Sequence, residues 1–129
     1  MNPVRAQSTR ALFLIRVAMA VGVATFLVVS YVIAAHHRPP ESVPANLRTL
    51  TTVMYTAVGI AAAVIMGLRL RIDAAGPEMR RALTVVAWAI GEFAALFGGV
   101  VLFLSGDWRA ALPGALVFVL ALAAVRIPE

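Results

Sequence analysis

ALTVVAWAIGEFAALFGGVVLFL, residues 82–104, decides how the chain must be read. At about 1.5 Å of rise per residue it is long enough to cross the ~30 Å hydrocarbon core of a bilayer. It has no polar face on which a soluble helix would meet water. One acidic residue, Glu92, interrupts it near its centre, and no other apolar run of the chain holds an acidic residue. A charged side chain at that depth costs roughly 2.5 kcal/mol or more. Such a residue is expected to face a bundle interior or a water-filled cavity, which makes Glu92 the first candidate for a functional site.

Three more apolar runs surround it, at residues 11–35, 49–68 and 110–125. The last is the shortest, and its ~16 residues cover only ~24 Å. Trp108 at the interface and Arg126 snorkelling to the headgroups would extend it, and Pro113 suits its first turn, where a missing N–H is tolerated. The 129 residues are 62% hydrophobic and 13% charged, whereas a soluble domain is about 25% charged. The expectation is an all-α fold: one polytopic membrane domain, residues 1–129, with four transmembrane helices in an antiparallel bundle. The first run is longer than the apolar core of a signal peptide and three more follow, so it is expected to be a retained span in which Arg16 snorkels to the headgroups.

All eleven basic residues are arginine, against six acidic ones. Arg5, Arg10 and Arg16 flank the first span, Arg69, Arg71, Arg80 and Arg81 crowd the middle loop, and Arg126 follows the last span. Only Arg38, Arg48 and Arg109 lie in the other two loops. The positive-inside rule therefore puts both termini and the middle loop in the cytoplasm. Because the arginines flank apolar runs and form no single basic patch, nucleic acid is excluded as a partner. Membrane lipid is the expected partner, with Arg69, Arg71, Arg80 and Arg81 as candidate headgroup contacts. In the middle loop, Gly76-Pro77-Glu78 ends one helix and starts the next, since proline suits the first helical position and glutamate its positive end.

Small residues recur every four positions in two spans: Ala87, Gly91, Ala95 and Gly99 in the third, and Gly59, Ala63 and Gly67 in the second. That spacing lets helix backbones approach closely in lipid, so both stripes are expected to mark helix contacts, between these two spans or with another subunit. Glu92 lies about 100° round the helix from Gly91 and so beside the seam. Thr25, nearest to it in depth, and Tyr55 and Thr56, nearer the outer side, are the candidate polar partners that would complete an ion or proton site.

The chain has no cysteine, which excludes disulfides, thiolate metal sites and cysteine nucleophiles. Adjacent His36 and His37 read as interface residues, and Asp107-Trp108-Arg109 as a turn and helix cap. No phosphate-loop, nucleotide or zinc-protease motif occurs, so no cofactor, metal or catalytic residue is assigned.

The segment from Ala87 to Phe103, with Glu92 followed by Phe97-Gly98, resembles the ion-binding helix of rotary-ATPase proteolipid subunits. That resemblance implies an ion carrier within an oligomeric ring. The Gly-rich partner helix of those subunits has no counterpart in the first span, where Gly22 stands alone. The whole chain is more similar to small four-helix proteins of bacterial inner membranes, on Ala95-Leu96-Phe97-Gly98 and the turn Ser105-Gly106-Asp107. That likeness implies the bacterial cytoplasmic membrane as location and carries no activity. The functional expectation is a structural or assembly role, as an accessory subunit or a self-associating homo-oligomer. The alternative is proton or cation handling through Glu92, or small-solute transport by an oligomer.

Overall fold

A computed structural model describes residues 3–37 and 44–127, with side chains from Ala6 onward. The loop residues 38–43, with Arg38 and Glu41, and the side chain of Arg5 lie outside the described residues. The fold is all-α. Helix α1 spans Pro3–His36, α2 Ala45–Ala74 and α3 Pro77–Ser105; a 3-10 turn, Trp108–Ala111, leads into α4, Leu112–Ala124. Each of the first three helices is long and apolar enough to cross a membrane.

The helices overrun the apolar runs at their ends, because helical geometry continues into the interface where side chains turn polar. The turns that stop them are readable. Pro77 occupies the first turn of α3 with Glu78 beside it, and Gly76 is its extended N-cap residue. At the other end Gly106 closes α3 in the left-handed region, φ 72°, where a Cβ would be strained. Asp107 then accepts a hydrogen bond from the Arg109 backbone N–H at 3.0 Å and starts the 3-10 turn.

The fourth element is the shortest, as its apolar run is. Its α-helical part has 13 residues, or about 20 Å, well short of the hydrocarbon core. The 3-10 turn leads into it without a break, so the apolar helical segment as a whole runs Trp108–Ala124.

Helix α3 is the hub. Half of its apolar window is buried, against 22% for α2 and 11% for α1. It packs on α4 most extensively, then on α2 and on α1. Gly91 lies against Ala121 and Phe118, and Gly98 against Ala110 and Ala111, so α3 and α4 are antiparallel. Gly99 meets Phe26, and Trp88 lies beside Arg16, so α1 runs parallel to α3, as two reversals of the chain require. Trp88, Met54, Ile65, Val101 and Thr84 fill the centre without solvent exposure. The buried Thr84 hydroxyl donates to the Arg80 carbonyl one turn back, at 2.8 Å. The outward faces carry large exposed apolar residues, among them Leu14, Val21, Val28, Ile60 and Leu116, as lipid-facing surfaces do.

Candidate functional site

Glu92 is half-buried. It sits 100° round α3 from Gly91, which abuts α4, and 100° the other way from Phe93, which is 61% exposed. Trp88, Ala95 and Gly99, on the side of α3 turned to α1, flank it above and below. Val23 of α1 clusters with Ala95 and Arg16 lies over Trp88, so Met19 and Ala20 are level with Glu92. The carboxyl therefore lies on the flank of the bundle, where the α1 contact ends and the open face begins. It makes no hydrogen bond and no ion pair with any described residue.

The expected polar partners are not gathered round it. Thr25 and Thr56 are exposed and Tyr55 is 49% exposed. The Thr56 hydroxyl donates to the Thr52 carbonyl of its own helix at 3.0 Å. Helix α2 packs on the side of α3 that carries Ala87, Ala94 and Val101, away from Glu92.

The structure instead gathers polar groups one turn away, at the end of α4. Arg16 Nη2 donates to the Leu122 carbonyl at 2.8 Å, and its guanidinium carbon stands 6.0 Å from the Trp88 ring centre. The fully buried Trp88 indole N–H donates to the Val125 carbonyl at 3.0 Å. A helix ends with carbonyls that lack intrahelical partners and carry a partial negative charge. Arg16 and Trp88 supply two of the missing donors, one of them cationic. Arg16 thus reaches across to the C-terminal end of α4. Sequence reading missed this node because its acceptors are backbone atoms; an arginine one turn inside an apolar run was its only signal.

The four small residues of α3, Ala87, Gly91, Ala95 and Gly99, are all buried. A Cβ on Gly91 would come within 2.8 Å of the Ala121 Cβ, and one on Gly99 within 2.5 Å of the Phe26 ring. The stripe therefore faces α4 and α1, and the expected meeting of the two stripes does not occur. Gly59, Ala63 and Gly67 of α2 are exposed, with open space around both glycines. The physical reason is that α2 turns its larger residues, Met54, Val58 and Ile65, toward α3 and leaves the small ones outside. Gly98 and Gly114, which lie off the four-residue stripe, complete the seam with α4: a Cβ on Gly114 would strike the Ala94 carbonyl.

Arg69, Arg71, Arg80 and Arg81 lie at one end of the bundle, where α2 ends and α3 begins, and Arg126 joins them after α4. At the opposite end His36 and His37 turn back and donate from Nδ1 to the Val32 and Ile33 carbonyls of their own helix, at 2.6 and 2.8 Å. No group of three or more potential metal ligands forms among the described residues. No protein-family model, curated protein or solved structure matches the chain.

Proposed function

We propose that the chain is a self-associating structural subunit of a membrane assembly. The observation that carries this reading is Glu92: a half-buried carboxyl on the flank of a helix long and apolar enough to cross a bilayer, with no polar partner among the described residues of its own chain. An unpaired carboxyl at that depth is costly, and a donor from a neighbouring subunit would relieve the cost. The open Gly59-Ala63-Gly67 stripe of α2 offers a second face on which helix backbones can approach closely. The Arg-rich end, with both termini, is proposed to face the cytoplasm, and the bacterial inner membrane is the proposed location. The test is the association of the purified protein in liposomes. Glu92→Gln keeps the hydrogen-bonding capacity and is expected to associate like the wild type, whereas Glu92→Leu is expected to associate less.

A second reading is proton or cation handling by Glu92 between subunits. It is favoured by the same flank position, which leaves the carboxyl accessible from outside its own bundle. Under this reading Glu92→Gln keeps assembly but abolishes ion flux into liposomes, followed with an entrapped pH dye or cation indicator.

A further inference from the structure

At the Arg-rich end, a cleft of about 780 Å³ opens between the last turn of α2, the start of α3 and the C-terminal end of α4. Three guanidinium groups line it, those of Arg69, Arg80 and Arg126, with Asp73 as the only carboxylate among its lining residues. No ion pair joins any of the three to a carboxylate among the described residues. Arg80 is the most constrained. Its Nη2 reaches the Asp73 and Ala75 carbonyls only at 3.5 Å, the outer limit of a hydrogen bond, and its Nε is buried without any acceptor. A buried donor on a charged group is expensive to leave unsatisfied, and an unrecorded anion is one standard cause.

The rest of the wall is apolar, with Leu120, Val125 and Ile127 beside the arginines. Leu120 is 40% exposed on α4, so the apolar wall continues down the outside of the bundle toward the bilayer interior. A site with cations at its rim and an apolar slope below it matches an amphiphile better than a free ion. Guanidinium forks bind phosphate oxygens in pairs, which a lone ammonium cannot do. We propose that this cleft binds the phosphate of an anionic phospholipid, held by Arg80 and Arg126 with Arg69 at the rim, its glycerol and upper acyl carbons lying against Leu120. This inference does not depend on the assembly role of Glu92.

The test is native mass spectrometry of the full-length protein in detergent, titrated with phosphatidylglycerol, with phosphatidylcholine and with sodium phosphate. Phosphatidylglycerol is expected to bind at least tenfold more tightly than phosphatidylcholine. The pair Arg80→Gln with Arg126→Gln should lose that preference. Arg48→Gln with Arg109→Gln, which removes equal charge at the opposite end, should keep it. Asp73→Asn removes the opposing carboxylate and should tighten phosphatidylglycerol binding severalfold, which gives a readout even if the double arginine variant misfolds. Equal binding of the two lipids, equal loss from both arginine pairs, or no gain from Asp73→Asn would overturn the proposal. Displacement of the lipid by millimolar phosphate would overturn it in favour of a free-anion site.

Discussion

Arg16 and Trp88 show how two side chains set the end of a third helix. Besides stacking on one another, both donate to carbonyls at the C-terminal end of α4 that lack intrahelical partners. Replacing Trp88 by phenylalanine keeps most of the ring but removes the donor to Val125, at a fully buried position. That loss is expected to cost about 1–3 kcal/mol, read as a lower unfolding midpoint in a mild detergent. Arg16→Met keeps the aliphatic length and should cost a similar ~1–3 kcal/mol, since a charged donor and a dipole partner both disappear. Because the two donors serve neighbouring carbonyls of one helix end, the double variant should lose less than the two single losses added. Strict additivity would mean that they act independently. At Glu92 the relevant fact is solitude: no described residue pairs with it, and under the proposed assembly another chain supplies the partner.

The elements differ in how much of them the sequence exposes. The apolar runs and the turn residues Gly76, Pro77 and Gly106 reveal α2, α3 and their limits, because those signals are local. The stripe Ala87-Gly91-Ala95-Gly99 is legible for the same reason. Its partner is not, since α4 is chosen over α2 by three-dimensional fit, with Gly114 of α4 admitting the Ala94 backbone. The 3-10 turn that opens the last helical segment is hidden too, because composition alone does not distinguish it from a first α-helical turn. The site is less legible still. Glu92 stands out in the sequence, but Thr25, Tyr55 and Thr56 are exposed and make no bond to it, because depth in the membrane does not say which face of a helix turns inward. A pair of substitutions separates a packed glycine from an open one. Gly114→Ala should cost about 1–3 kcal/mol by overpacking. Gly59→Ala, with nothing near it, should be neutral or stabilising by up to ~1 kcal/mol through helix propensity. Equal effects in chemical unfolding would mean that α4 does not seat on α3 as described.

At the scale of the molecule, α3 touches each of the other three helices more than they touch one another. One end gathers Arg10, Arg69, Arg71, Arg80, Arg81 and Arg126, and the other has Arg48 and Arg109 in view. Cysteines introduced singly at Gly76 and at Asp107, both exposed turn positions at opposite ends, report the orientation in intact cells. An impermeant maleimide should label position 107 and leave 76 unlabelled; the reverse result would invert the proposed orientation. The central claim is that this bundle is completed by another copy of itself through the Glu92 flank. Its most direct measurement is subunit-exchange fluorescence transfer between labelled copies in liposomes, over a series of protein-to-lipid dilutions. The account predicts that wild type and Glu92→Gln follow one dissociation curve, and that Glu92→Leu dissociates at roughly three- to tenfold higher protein density, as expected for losing one interhelical polar contact. Transfer absent at every density for the wild type, or a Glu92→Leu curve that overlays it, would contradict the account.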